Sequence, residues 1–331
     1  DAILIKDDYE KYHNNFGAFL NALSGDLISK TFLFLGFSFT DPNLDYILSR
    51  IRIVFKQNQR RHYCIQKKCI QLDDQSNEDF IYYETKQKLI IEDLKRFNIS
   101  TILVNDYSEI TNILKSIEDS YKRKTVFLSG SAYEYGNWTK EQTEQFLMKL
   151  GEVLIQNDFK IASGIGLGVG QPFITGAIGT IYRENKGKIE DHLIMRPFPQ
   201  NEPDADRRKK VWKKYREDML DYTGVALFIL GNKHINGETI NADGVIEEFE
   251  IAYEKGLNLI PIGASDYVAK QLWQNVFNDF SNFYPHHTQE FKNAFELLGN
   301  TYENPMELID PIINVLNLLR KEPSYATTSV L

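Results

Sequence analysis

Four stretches of this 331-residue chain carry residue types suited to holding a phosphorylated sugar. In Ser163-Gly-Ile-Gly-Leu-Gly-Val-Gly170, the glycines Gly164, Gly166 and Gly168 fall at every second position between an expected strand and an expected helix. Amide N–H groups of such a turn, together with a helix N-terminus, can cradle a phosphate. The spacing is not the Gly-x-Gly-x-x-Gly of dinucleotide folds, and no Lys-Ser/Thr follows as in a P-loop. A tight turn needing glycine for positive φ is the competing reading. Ser129-Gly-Ser131 ends another expected strand, where the small Gly130 and Ser131 let a ligand approach the backbone. Gly231-Asn-Lys233 follows the apolar run Val225–Leu230 at a strand-to-helix loop, and Gly244-Val-Ile-Glu-Glu248 opens the next helix. A carboxylate in a first helical turn is either a dipole or capping partner or, with a ligand present, an acceptor for ribose hydroxyls. Both uses stay open for Glu248, with Arg216 and Lys233 as the matching phosphate partners.

Arg216 closes a basic run that includes Arg207, Arg208, Lys209, Lys210, Lys213 and Lys214, with Trp212 and Tyr215 interleaved. As a helix the run reads as a solvated face rather than a nucleic-acid patch, and Arg216, off the exposed stripe, can point inward. The formal charge of −8 agrees, since a net acidic chain has no global attraction for polyanions. No nucleic-acid partner is expected. Cys64 and Cys69 are too few for a disulfide framework and lack a second Cys/His pair at ligand spacing, so they are read as packing residues, with no metal.

The elements that must position these residues follow from hydrophobic periodicity. Apolar residues recur at helical spacing from Tyr9 to Ser29, and Thr31 to Leu35 reads as a buried strand. A helix through Leu44, Ile47, Leu48 and Ile51, strand Arg61–Ile65, helix Asn77–Arg96, strand Ser100–Val104 and helix Ser108–Ser120 follow. The polar stretch Asp119–Lys124 then interrupts the pattern, and the alternation restarts. Its elements are strand Thr125–Leu128, helix Lys140–Gln156, strand Phe159–Ala162, helix Pro172–Tyr182 and strands His192–Met195, Val225–Leu230 and Leu257–Pro261. The fold class is therefore α/β with two doubly wound parallel-sheet units, placed at residues 1–121 and 122–331. Ligands of such sheets sit at the carboxyl ends of the strands, where the four stretches lie. The longest apolar run, Thr31–Phe39, is far short of the ~20 residues of a membrane helix, so no membrane is expected. The opening Asp1-Ala-Ile-Leu-Ile-Lys lacks the signal-peptide pattern and reads as a cut end, and a cytoplasmic location is expected. The tail after Lys321 is expected to be loose.

The strand ending in Ser-Gly-Ser, the Ser-Gly-x-Gly-x-Gly turn and the late Gly-x-x-x-Glu resemble the SLOG (LOG-like Rossmann) nucleotide-binding superfamily over about residues 124–320. Phosphoribohydrolases of that group carry Pro-Gly-Gly-x-Gly-Thr-x-x-Glu. Here a long Gly231–Gly244 insertion replaces the Pro-Gly-Gly and Val245 stands where Thr is expected, which favours a sensor over an enzyme. A free-standing LOG-like nucleotide phosphoribohydrolase using Glu248 and Arg216 is the alternative. In the first segment, Phe34-Leu-Gly-Phe-Ser-Phe-Thr-Asp-Pro-Asn43 resembles the late part of a sirtuin-like domain, with Gly36 and Ser38 as an NAD-binding remnant. This order of segments is similar to the sirtuin-like NAD hydrolases of the Thoeris antiphage defence system. The resemblance implies NAD as substrate of the parent protein and a TIR-domain protein functionally upstream. It also implies a cyclic ADP-ribose isomer as activating ligand, held at Ser131, Arg216, Lys233 and Glu248, with Gly130, Gly164, Gly166, Gly168 and Asn232 around it, and a homo-oligomer. The Gly-Ala-Gly, Thr-Asn-Tyr-Asp and His-Gly-Asp motifs of that catalytic part occur nowhere in the 331 residues. His13, in Tyr-His-Asn-Asn, is expected on a helix surface. The chain is accordingly expected to keep the sensor without catalytic residues.

Overall fold

The computed structural model describes residues 17–37, 39, 42–55, 59–198 and 203–321. Among these residues the chain divides into two compact units, one ending at Leu114 and the other starting at Lys115. Ser38, His13, the first turns of the expected N-terminal helix and the tail beyond Lys321 lie outside the described residues.

The first unit comprises α1 (Gly17–Ser29), β1 (Leu33–Phe34), α2 (Pro42–Phe55), β2 (His62–Lys67), α3 (Asn77–Lys95), β3 (Ile99–Val104) and the first turns of α4 (Glu109–Lys122). Its strands form a parallel sheet in the order β1-β2-β3. The strand expected over Thr31–Leu35 shrinks to two residues. Leu44, Ile47 and Leu48 recur at helical spacing on α2 and meet Leu20 and Leu27 of α1, with Cys64, Leu94, Phe97 and Ile99 completing the core. The Cys64 sulfur lies 3.3 Å from the Thr101 hydroxyl, and burial pushes its thiol up.

The second unit contains β4 (Thr125–Ser131), α5 (Lys140–Gln156), β5 (Lys160–Ser163), α6 (Gly170–Arg183), β6 (Leu193–Met195), α7 (Ala205–Leu220), β7 (Val225–Leu230), β8 (Asn232–Ile235) and β9 (Glu238–Asn241). It continues with α8 (Asp243–Glu254), β10 (Asn258–Pro261), α9 (Tyr267–Asn278), α10 (Phe280–Phe283), α11 (Gln289–Leu297) and α12 (Ile309–Lys321). Five strands make a parallel sheet in the order β10-β7-β4-β5-β6. From β4 the chain winds outward through β5 and β6, then crosses back to place β7 and β10 on the other side. The reversal puts a crevice at the carboxyl ends of β4 and β7, the usual ligand position in such sheets. All six residues of β7 are buried, as a central strand covered on both faces requires.

Two sequence expectations change here. The strand expected to stop at Leu128 continues to Ser131, because Gly130 and Ser131 pair with Ile229 and Leu230 of β7. The insertion expected as a loop from Gly231 to Gly244 is an antiparallel hairpin of β8 and β9, in register Asn232 to Asn241 and Ile235 to Glu238. Asn236 and Gly237 connect the strands with φ of 53° and 88°, the left-handed values that a two-residue type I′ turn needs.

Helices α5 and α6 pack backbone to backbone. A Cβ on Gly176 would sit 1.9 Å from the Met148 carbonyl oxygen, and one on Gly151 would sit 2.1 Å from that of Phe173. Gly179, one turn further along α6, has only the tip of Arg183 within 4.0 Å. Gly176→Ala should therefore lower the unfolding free energy by about 1–3 kcal/mol through overpacking. Gly179→Ala should raise it by about 0.5–1 kcal/mol through helix propensity. Urea midpoints with unchanged slope would report the pair, and equal effects at the two positions would refute the packing argument.

Candidate functional site

The crevice between β4 and β7 is built first by backbone contact. In the turn from Ser163 to Gly170, a Cβ on Gly166 would stand 1.9 Å from the Gly130 carbonyl oxygen, and one on Gly168 would stand 2.3 Å from that of Ala132. The Ala132 N–H donates to the Leu167 carbonyl at 2.8 Å, locking the turn onto the end of β4. Alternate glycines thus face the strand while Ile165 and Leu167 between them project outward, Leu167 being 78% exposed. Positive φ explains only Gly168 (73°), and the other left-handed residue of the turn is Ile165 (57°), not a glycine. Gly164 is kept small by Phe198, whose ring would come within 2.5 Å of a Cβ there. Helix α6 starts directly from this turn, with Gly170 N–H donating to Gly166. The Val169 N–H also donates to Gly166, and Pro172 has no N–H, so of the first three residues of α6 only Gln171 has an amide that the turn does not use.

Against this backbone floor stands a buried ion pair. Arg216 is 7% exposed, whereas Lys209, Lys210, Lys213 and Lys214 on the same helix are exposed. The basic run is thus a solvated face with one inward-pointing cation. The Arg216 Nε donates to Glu248 Oε1 at 3.3 Å and its Nη1 to Glu247 Oε2 at 2.6 Å. Its guanidinium lies over the Phe198 ring, 5.0 Å from the centroid, and against Gly244, where a Cβ would approach Nη2 to 2.8 Å. Glu248 is also 7% exposed, and its Oε2 accepts from the Ser129 hydroxyl at 2.5 Å. Burial pushes the Glu248 carboxyl above its ordinary value; the Ser129 hydrogen bond and the Arg216 charge oppose this without cancelling it. Because α8 begins at Asp243, Glu248 falls in its second turn, and Asp243 is the first-turn acid. Glu248 therefore serves the buried pair with Arg216 and Ser129 rather than the helix terminus.

The remaining residues form the rim. Ser131 donates through its hydroxyl to the Asn232 carbonyl at 3.0 Å. The Asn232 side chain staples the hairpin to the loop after β4. Its Oδ1 accepts from the N–H groups of Tyr133 and Glu134 at 2.8 and 2.9 Å, and its Nδ2 donates to the Glu134 carbonyl at 2.8 Å. Lys233 projects from β8 and its ammonium pairs with Asp243, which holds that carboxyl below its ordinary value. Tyr133 and His234 stack, ring centroids 4.2 Å apart at 20°. Gly130, Ser131, Gly164, Gly166, Gly168, Arg216 and Glu248 thus belong to one contiguous network of contacts, with Lys233 on the hairpin rim. Ser129 and Glu247 belong to the network although the spacing argument left them out. Their signals were small: a serine two residues before Ser131 on the same face of the strand, and an acid four residues after Asp243 on the same face of the helix. In the first unit, Gly36 follows β1 with φ of 64° and lines an open cavity with Phe37, Gln66, Lys67 and Tyr107. Among the described residues, no group of three or more His, Cys, Asp or Glu is placed to hold a metal ion, and no helix is long and apolar enough to cross a membrane.

Comparisons with known proteins agree with this layout. Residues 109–319 match the Sir2- and TIR-associating SLOG family, and residues 1–102 match a SIR2-like domain. NAD(+) hydrolase ThsA of Acinetobacter baumannii is 51% identical over 324 residues, covering 96% of this chain and 67% of that protein. ThsA of Bacillus cereus is 49% identical over 96% of this chain and 66% of its own length, and ThsA of Cytobacillus dafuensis is 41% identical over 97% and 66%. The chain thus spans about two thirds of the length of these relatives. With a SIR2-like segment followed by a SLOG domain, and identity of this order over nearly its whole length, the chain belongs to the ThsA family.

Proposed function

We propose that the second unit is a sensor for a cyclic ADP-ribose isomer, and that the parent protein is an antiphage-defence NAD hydrolase switched on by that ligand. The observation that carries the reading is the buried Arg216–Glu248 pair, held by Ser129 at the crevice between β4 and β7. A guanidinium beside the Gly164–Gly168 turn suits a diphosphate, which needs cationic and amide donors. A buried carboxylate next to it suits ribose hydroxyls, which need an acceptor. Ser131 adds a hydroxyl and Lys233 a second cation at the rim. Asn232 acts by fixing the hairpin that carries Lys233. The relatives' activity, NAD hydrolysis, supplies the output of the sensor. A TIR-domain protein upstream makes the ligand, and a homo-oligomer relays its binding to the NAD-cleaving part, where Gly36 borders the NAD.

The binding test is calorimetric titration of the 331-residue chain with cyclic ADP-ribose isomers and ADP-ribose. Arg216→Ala, Lys233→Ala and Glu248→Ala should each weaken binding by about one to two decades, the worth of one charge-assisted hydrogen bond of about 1.5–3 kcal/mol. Lys209→Ala and Lys210→Ala should leave it unchanged. The opposite ranking would move the site to the basic run. Incubation with NAD should release no nicotinamide from this chain. Cleavage of NAD or a nucleoside monophosphate, lost in Glu248→Gln, would replace the sensor with a glycoside-cleaving enzyme.

Glu248 also has a pH signature. Its carboxyl is raised above the ordinary 4.5 by burial, so the folded chain holds the proton to higher pH than the unfolded chain does. Stability must then fall as pH rises through and beyond that ordinary value, by linkage. Relative to Glu248→Gln, which cannot titrate, the wild-type chain should lose unfolding free energy on going from acid toward neutral pH. A difference that grows instead would mean that the Arg216 charge and the Ser129 hydrogen bond outweigh desolvation.

A further inference from the structure

Both cations assigned to the ligand are already engaged, and by carboxylates of the same helix. Glu247 Oε2 sits 2.6 Å from Arg216 Nη1, and Asp243 pairs with the Lys233 ammonium. Asp243 and Glu247 are four residues apart on α8, so they lie on one face of it. With Glu248 also on Arg216, three carboxylates face two cations, and this group of five side chains carries no net positive charge. An anion that reaches Arg216 or Lys233 must therefore take the cation over from its carboxylate.

We infer that Glu247 and Asp243 are specificity residues that stand in for the two phosphates of the ligand, and that binding is a double exchange of counterions. This rests on the reading of the crevice as a nucleotide sensor and deepens it. The geometry favours the exchange at both ends. The Glu247 and Asp243 side chains are 37% and 84% exposed, so each carboxylate can turn into water once its cation is taken. Glu248, with a side chain only 9% exposed and tied to Ser129, stays in place and keeps Arg216 oriented. A ligand with one charge releases one carboxylate and leaves the other cation blocked, whereas two linked phosphates release both. A neutral nucleoside releases neither. The site thereby selects linked diphosphates over the abundant uncharged or singly phosphorylated nucleosides.

The test is titration of cyclic ADP-ribose, ADP-ribose and adenosine into the wild-type chain and the variants Glu247→Gln and Asp243→Asn. Glu250→Gln, an exposed acid further along α8, controls for net charge. Each of the first two variants should tighten the diphosphate probes about two- to fivefold, as expected for removal of a partly exposed competing ion pair. The control should change them little, and adenosine should respond to none of the three. Unfolding midpoints check that the isosteric changes keep the fold. If Arg216→Ala weakens binding while Glu247→Gln and Asp243→Asn fail to tighten it, the exchange is wrong and the sensor reading stands. If Glu250→Gln tightens binding equally, the effect is bulk charge and the exchange is again wrong. If neither diphosphate probe binds the wild-type chain, the exchange falls together with the sensor reading.

Discussion

A guanidinium taken out of water cannot lose its charge, so it must be met by carboxylates and hydrogen-bond acceptors or it destabilises the fold by several kcal/mol. Arg216 imposes that requirement on the whole second unit. Its carboxylate, Glu248, is itself buried and needs a donor, which Ser129 supplies from two residues before the end of the central strand. Ser129 reaches it because β4 runs on to Ser131, paired with β7 from Val126 onward. Gly244 leaves room for the guanidinium at the start of α8, and Phe198 covers its face. Removing Glu248 or Ser129 leaves a buried charge short of a hydrogen-bond partner, whereas enlarging Gly244 crowds the guanidinium.

The glycine-rich turn illustrates a different constraint. Its alternate glycines look like a nucleotide loop, yet their spacing already follows from steric contact with the end of β4. The same contact strips side chains from the crevice floor, leaving backbone amides and carbonyls there. Structural necessity and ligand access are thus met by one arrangement, and the motif alone does not separate the two readings.

Much of this was legible in residue order. Alternating apolar runs and helical periods located the parallel sheets, because β7 reads as an unbroken buried run, Val-Ala-Leu-Phe-Ile-Leu. The inward turn of Arg216 followed from its place off the lysine stripe of α7. The hairpin went unread although Asn236-Gly237 is a strong turn signal, because its strands are only four residues each and mostly exposed, with little hydrophobic alternation. The role of Asn232 could not be read either: nothing local indicates that an amide will meet two N–H groups about a hundred positions earlier in the chain. Glu247 was hidden by its neighbour, since two adjacent acids on a helix point in directions about 100° apart and only the packing of α7 shows that both reach one arginine.

The pairing of β4 with β7 has a kinetic side. Ser129 and Glu248 are 119 positions apart, and Asn232 meets Tyr133 across 99. Contacts of that separation require most of the intervening chain to be ordered before they form, which makes them late and slow events in folding. A partly folded second unit therefore has no recognition surface in miniature: the crevice comes into existence only when its first and last halves have met. Any ligand that occupies it binds the finished unit alone, and so protects the whole unit against unfolding rather than one segment of it.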